Sequence, residues 1–138
     1  MFKEIVKDED ILTQKSEKFI FGQDEYIIDD MIDTAEAHKD NCVGLAAVQI
    51  GQLKRVILAR SGDKFVPFIN PSIIQKGGGT YTAVEGCLSV EGEHEVKRHK
   101  WIRVRYQTRS GKTIIDFIDK HLAQIIQHEI DHLNGVLI

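Results

Sequence analysis

Two histidines near the end of the sequence have the spacing of a metal-binding pair. His128 and His132 are four residues apart, so on a helix their side chains project from one face, one turn apart. Two imidazoles in this arrangement can bind a single metal ion. Glu129, which follows the first histidine, is then placed to act as a general base toward a water molecule in the site. The alternative is a buried helix whose histidines are satisfied by hydrogen bonds.

The residues around this pair predict the helix that must carry it. Asp119 is a candidate cap at its start, and Asn134 with Gly135 is a candidate end. Between them, apolar residues recur at helical spacing: Leu122, Ile125, Ile126, Ile130 and Leu133.

Two histidines do not complete a metal site, and each of the two cysteines is a candidate third ligand. Cys87 follows Gly86 at the end of a predicted strand, and Cys42 precedes a run of small residues. A free cysteine is most often a small buried hydrophobic residue. Beside a helical histidine pair, a metal thiolate is an equal alternative, and spacing alone does not choose between Cys87 and Cys42.

The segment from Asn41 to Gly51 is rich in small residues and contains one isolated polar side chain, Gln49. Small residues allow a backbone to approach a ligand or another segment closely. Without further context, a buried amide with its hydrogen bonds satisfied is the preferred interpretation of Gln49.

Composition predicts an ordinary globular protein with a single domain over residues 1–138. The chain has 42% hydrophobic and 28% charged residues and a formal charge of −3, so we expect neither nucleic-acid binding nor membrane association. The first residues lack the apolar run of a signal peptide. Two cysteines form no disulfide framework, which predicts a reducing cytoplasm.

The remaining patterns predict an α+β fold with antiparallel strands between two helices. An amphipathic helix is expected from Asp24 to about His38. Asn70-Pro71 and the triple glycine at 77–79 are predicted to be a strand end and a flexible turn, and Pro67 predicts an edge strand. Alternating residues from Ile102 to Tyr106 predict a hairpin with residues 113–118. The basic residues 97–105 are interpreted as a solvated sheet face, and an acidic partner is the alternative.

Three segments of the sequence together resemble the signatures of peptide deformylases. These are Gly44-Leu45-Ala46-Ala47-Val48-Gln49, Glu85-Gly86-Cys87-Leu88-Ser89 and Gln127-His128-Glu129-Ile130-Asp131-His132. They occur in the family's order, and the resemblance extends over nearly the whole chain. It implies a peptide-deformylase-like fold, with antiparallel β-sheets around a central metal-binding helix and an N-terminal helix.

The resemblance also implies the site and the reaction. Cys87, His128 and His132 would bind one divalent metal, natively ferrous iron (Fe2+), with zinc, nickel or cobalt as substitutes. The protein would remove the formyl group from the N-terminal methionine of nascent peptides, with Glu129 as the base and with Gln49 and the backbone N–H of Leu88 stabilising the oxyanion. This role replaces the buried-amide interpretation of Gln49. The implied partners are N-formylmethionyl peptides, with transient ribosome contact, and the residues expected to bind substrate are Val43, Gly44, Glu85, Gly86, Gln124 and Ile125.

Several positions depart from the family pattern. Cys42 stands where the family usually has glycine, and Val48 where it often has proline. Gln124 and His121 make a wall that is mostly apolar in the family more polar. No arginine stands where the family binds the substrate backbone, so His94 is the only candidate for that role. Two alternatives follow: a deformylase-like paralogue with weak or altered specificity, and a generic zinc peptidase, which would need a third ligand downstream of His132.

Overall fold

The computed structural model describes all 138 residues and contains three α-helices, one 3-10 helix and five strands. Helix α1 (Glu9–Leu12) and helix α2 (Glu25–Ala37) precede the short strand β1 (Gly44–Ala46) and the 3-10 helix (Ala47–Ile50). Four longer strands follow, and helix α3 comes last. Their bounds are β2 (Val56–Ser61), β3 (Lys64–Gly86), β4 (Glu93–Gln107), β5 (Thr113–Asp119) and α3 (Lys120–Leu133).

The five strands form one antiparallel sheet in sequence order, with β1 and β5 at its edges. Both faces of β2 are buried, because alternate residues point to opposite faces of a strand. Ile57 and Ala59 belong to the apolar cluster that contains α3, whereas Val56 and Leu58 belong to the cluster that contains α2. The sheet therefore separates the two helices, which confirms the predicted α+β class.

Helix α3 lies where the sequence pattern predicts it. Ala123, Ile126 and Leu133 are fully buried against the sheet. Asp119 occupies the N-cap position, but its side chain makes no capping hydrogen bond, so that detail of the prediction is wrong. At the other end Asn134 is the C-cap, and Gly135 follows with a φ of 77°. This left-handed residue ends the helix, as expected for a glycine in that position.

Strand β3 is longer than predicted, because neither Asn70-Pro71 nor the triple glycine interrupts it. Asn70 adopts a φ of 50° at an irregularity in the ladder, where its side chain bonds both the N–H and the C=O of Phe19. At the glycines a bulge between Gly77 and Thr80 makes room for the ring of Trp101. A Cβ on Gly77 would lie 2.6 Å from that ring. The glycines thus allow close packing within a strand and do not form a flexible turn.

Pro67 lies in β3, which is central in the sheet as a whole, but the part of β3 around Pro67 is an edge, as predicted. Residues around Pro67 pair with β2 on one side, and pairing with β4 begins only at Ile69. The missing N–H of proline is therefore tolerated, because this part of β3 has only one neighbouring strand.

The hairpin of β4 and β5 is confirmed. One of the basic residues that were predicted to lie on a solvated face of the sheet is buried instead. Ile102, Val104 and Tyr106 are buried, while Arg103 and Arg105 are exposed. Arg98, in contrast, is only 5% exposed. Among the helices, none has the length and apolarity that crossing a membrane requires.

We expect Gly135→Ala to destabilise the protein more than Gly62→Ala. Both glycines have positive φ, so alanine should cost each about 1–2 kcal/mol of unfolding free energy. A Cβ at Gly135 would also lie 2.4 Å from the backbone oxygen of Thr13, whereas a Cβ at Gly62 meets nothing within 4 Å. Displacing that backbone should add about 1–3 kcal/mol. Urea unfolding of both variants measures the difference, and equal losses would contradict the close contact.

Candidate metal centre

Three potential ligand atoms converge between helix α3 and the loop that follows β3. The Cys87 Sγ lies 3.3 Å from His132 Nε2, which lies 3.1 Å from His128 Nε2. All three atoms lie within 4.8 Å of one another, and both histidines are buried. Cys42 does not belong to this group. Sequence spacing left both Cys87 and Cys42 as candidates for the third ligand. The structure brings Cys87 next to the histidine pair.

The donor set fits a divalent metal ion. His128 Nδ1 lies 2.8 Å from the Glu85 carboxylate and donates to it, so Nε2 is the ring nitrogen left to face the other two potential ligand atoms. Burial and the neighbouring His128 lower the pKa of His132, which favours its neutral, metal-binding form. One thiolate and two imidazoles, with a fourth position open, are an arrangement found at catalytic zinc sites, and such ligands also suit other transition metals.

Behind His128, a buried chain of charges fixes the ligand in place. The Arg98 guanidinium donates to both oxygens of Glu85, at 2.7 and 3.0 Å, and to Asp131 at 2.6 Å. Burial alone would raise the pKa of Glu85, but the hydrogen bonds from His128 and Arg98 lower it to about 2. Glu85 is therefore charged and fully engaged within the protein, although the sequence suggested it for substrate binding. Sequence analysis missed the roles of Arg98 and Asp131.

Glu129 is buried and lines the same pocket as Cys87 and His128. It is 5% exposed, and its Oε1 has no hydrogen-bond partner in the protein. A Cβ on Gly44 would come within 2.7 Å of Glu129 Oε2, so β1 can lie this close only as glycine. Burial raises the pKa of Glu129 to about 7, against the opposing charge of His128. A carboxylate with a pKa near neutrality can both accept and return a proton.

The Gln49 amide is buried, hydrogen-bonded and adjacent to the ligand cluster at the same time. Its oxygen accepts from the backbone N–H of Ala46 at 2.9 Å. Its nitrogen donates to Ser89 Oγ at 3.2 Å and lies 3.3 Å from Cys87 Sγ. The two interpretations of Gln49 are therefore compatible, and Ser89 is a further residue of the site that the sequence did not reveal.

A cleft opens beside the ligand cluster, between the edge strand β1 and the end of β3. Leu88 contributes a backbone N–H that has no acceptor in the protein. Every residue predicted to bind substrate lines this cleft: Val43, Gly44, Glu85, Gly86, Gln124 and Ile125. His121 lines it too, but His94 does not, and instead contacts the backbone oxygen of Glu91.

Cys42 forms part of the cleft wall with its thiol turned toward the backbone. The Sγ donates to the carbonyl oxygen of Gly44 at 3.2 Å, and the residue is 3% exposed. Burial raises the pKa of this thiol to about 12, so it is protonated at neutral pH. It has the character of a structural thiol and not of a metal ligand.

Comparison with known proteins gives consistent matches over the whole chain. The family model for polypeptide deformylase matches residues 2–138. A peptide deformylase of Clostridium beijerinckii is 44% identical over 138 residues, which is 100% of both chains. The solved Acinetobacter baumannii class I type b peptide deformylase with bound Met-Ala-Ser superposes with a TM-score of 0.89 at 32% identity, covering 99% of this chain and 97% of that one. The Thermotoga maritima peptide deformylase gives 0.88 at 36%, covering 99% and 95%.

We expect Glu85→Gln to weaken metal binding by roughly 10- to 100-fold, the usual effect of losing a group that orients a ligand. The amide cannot accept the hydrogen bonds of both His128 and Arg98 as a carboxylate does. Metal affinity would be measured by competition with a chromogenic chelator. Glu95→Gln, an exposed position on β4, is the matched control and should bind as the unmodified protein does. Equal affinity of the two variants would remove Glu85 from the site.

Proposed function

The chain belongs to the polypeptide deformylase family, and from that premise we propose how its own residues perform the reaction. The protein is a metal-dependent hydrolase that removes the formyl group from the N-terminal methionine of newly made peptides and releases formate. The observation that carries the assignment of residues is the convergence of Cys87, His128 and His132 beside the buried carboxylate of Glu129.

The metal is held by Cys87 Sγ and by the Nε2 atoms of His128 and His132. We propose ferrous iron as the native ion, with zinc, nickel or cobalt as substitutes, since a thiolate with two imidazoles accommodates each of them. When bound, the ion supplies a Lewis acid and lowers the pKa of a water molecule in the open position. Arg98 and Glu85 keep His128 in the tautomer that presents Nε2.

Glu129 moves the proton during hydrolysis. Its free oxygen accepts a proton from the attacking water and returns it to the nitrogen that leaves as the free amine. The surroundings of Glu129 support this role, because burial brings its pKa to about 7 and the absence of a Cβ on Gly44 allows the backbone of β1 to lie against the carboxylate. The same carboxylate then serves as base and as acid in one turnover.

Gln49 and Leu88 are assigned to the oxygen of the formyl group, which gains negative charge as water attacks. The Gln49 N–H near Cys87 Sγ borders the ligand cluster, and the Leu88 N–H has no acceptor in the protein. Fixed donors aimed at a developing oxyanion typically contribute a few kcal/mol each to lowering the barrier. Both therefore stabilise the transition state more than the substrate.

The peptide is proposed to lie extended between two stretches of backbone. Gly44 begins the edge strand β1 and Val43 precedes it, and both line the cleft together with Gly86 and Leu88. An extended peptide can add to such an edge through main-chain hydrogen bonds. The Acinetobacter relative was solved with Met-Ala-Ser bound, which supports a peptide of this kind in the cleft. Gln124 and Ile125 then face the first side chain.

We propose a cytoplasmic location, with formylated nascent chains as the substrates and only transient contact with the ribosome. A net charge of −3 gives no basis for direct nucleic-acid binding. A generic zinc peptidase is disfavoured, because the third candidate ligand, Cys87, lies upstream of the histidines. The polar Gln124 in the cleft wall favours the one remaining alternative, a deformylase of altered specificity.

Glu129→Gln should lower formate release from formyl-Met-Ala-Ser by at least about 100-fold, the usual contribution of a general base. The amide preserves the shape of the side chain but cannot accept the proton. Release would be measured with ferrous enzyme prepared without oxygen, and metal content would be determined on the same sample. Loss of the metal together with activity would indicate a structural role for Glu129, and full activity would refute the mechanism.

The two cysteines should respond differently to removal. Cys87→Ala is expected to lose its metal, because only two ligands remain, whereas Cys42→Ala should retain it. Metal content by mass spectrometry after dialysis distinguishes the two variants, and each serves as the control for the other. The opposite outcome would transfer the ligand role to Cys42.

A further inference from the structure

Gln124 in the cleft wall pairs with a residue outside the cleft, and the reaction itself uses neither of them. Tyr81 on β3 donates from its hydroxyl to Gln124 Oε1 at 3.2 Å. Gln124 is half-buried, lines the cleft, and its Nε2 donates to no group of the protein. Tyr81 thus occupies the amide oxygen and leaves two amide hydrogens for whatever enters the cleft. An amide anchored in this way is an oriented donor.

The position of Gln124 matches the reach of the substrate's first side chain. It lies one turn before His128 on α3, about 6 Å along the helix axis. The sulfur of a formylated methionine is five bonds from the formyl carbon, which is roughly 6 Å in an extended conformation of bonds near 1.5 Å. A substrate with its formyl carbon at the ligand cluster can therefore bring its sulfur level with Gln124. Val43, Val84, Leu88 and Ile125 are apolar residues of the same cleft, and His121 is a second polar residue of α3 that lines it.

An amide donor at this point discriminates between forms of methionine. The thioether sulfur is a weak acceptor and gains little from it. Oxidation to the sulfoxide makes the same side chain polar and chiral and adds an oxygen that accepts strongly. Formylated chains begin with methionine, so the sulfoxide is the form of that residue that carries the matching acceptor.

We propose that this protein also deformylates peptides that begin with formyl-methionine sulfoxide, with Gln124 donating to the sulfoxide oxygen and Tyr81 acting as its positioning residue. This inference rests on the proposed function and deepens it. Water and the formyl amide give formate and the free amine, as for methionine. The sulfur–oxygen bond is neither formed nor broken, and no oxidant or reductant takes part.

The experiment compares kcat/KM for four formyl-X-Ala-Ser peptides, where X is methionine, either resolved epimer of methionine sulfoxide, or norleucine, which has a methylene in place of sulfur. One neutral hydrogen bond is worth about 0.5–1.5 kcal/mol, so the better sulfoxide epimer should exceed norleucine by about 2- to 10-fold. The gain should appear mainly in KM, because the contact is remote from the reacting bond. The other epimer should gain less, because a single anchored donor favours one configuration.

Gln124→Met removes the donor and should reverse the ratio, so that norleucine becomes the better substrate. Tyr81→Phe leaves Gln124 unanchored and should reduce the ratio without reversing it. Matched controls are Gln75→Met, exposed on β3, and Tyr26→Phe, exposed on α2. Both controls should keep the ratio of the unmodified protein. Circular dichroism and metal content would accompany each variant, and Tyr81→Phe tests the inference even where Gln124→Met fails to fold.

The outcomes separate this inference from the proposed function. No turnover of any peptide by metallated protein would refute the proposed function. Turnover of formyl-methionine with a ratio that Gln124→Met leaves unchanged would refute only the role of Gln124. A preference of the unmodified protein for norleucine over both sulfoxide epimers would likewise overturn the inference.

Discussion

The metal centre depends on a single buried carboxylate, that of Glu85, which is shared between Arg98 and His128. Through it the end of β3, the strand β4 and the helix α3 are joined by charge at one point, and Asp131 closes the network from α3. Breaking a buried pair of this kind typically costs 3–5 kcal/mol, because a charge is left without its partner. The same interactions therefore orient a candidate metal ligand and hold the sheet against helix α3. A substitution that removes them should weaken both the ligand's orientation and the packing.

The second constraint is the contact between β1 and α3, in which the backbone of β1 packs against side chains of the helix. Because Gly44 has no Cβ, the strand can pack directly on Glu129 and Ile125. This packing excludes water from the carboxylate, and exclusion of water is what raises the pKa of Glu129 into the range useful for proton transfer. Cys42 reinforces the same strand by donating its thiol to the Gly44 carbonyl.

Sequence patterns predicted the elements that rest on local periodicity, namely α2, α3 and the β4–β5 hairpin. Two metal ligands followed from helical spacing, whereas Cys87 was separated from Cys42 only by resemblance to a family. Arg98, Asp131, Ser89 and Tyr81 were missed, because their contacts join segments that are distant in the sequence, and the contact of Arg98 with Glu85 also depends on the register between β3 and β4. That register shifts at three irregularities, and each shift changes which side chains face α3. The Asn70-Pro71 and triple-glycine segments carry the local signals of turns, but the Asn70 side-chain bonds and the Trp101 ring keep them within a strand.

The candidate metal ligands and the residue proposed to set selectivity lie on successive turns of one face of helix α3. His132 and His128 present ligand atoms, and one turn earlier Gln124 presents an amide to the same cleft. Because the turns are separate, the polarity of the wall can differ between relatives while the ligand geometry stays fixed. A polar residue in such a wall has a cost, since its unused groups must find partners or lose hydration. Tyr81 meets that cost for the Gln124 oxygen, and the Gln124 nitrogen is left to donate to an acceptor on the substrate.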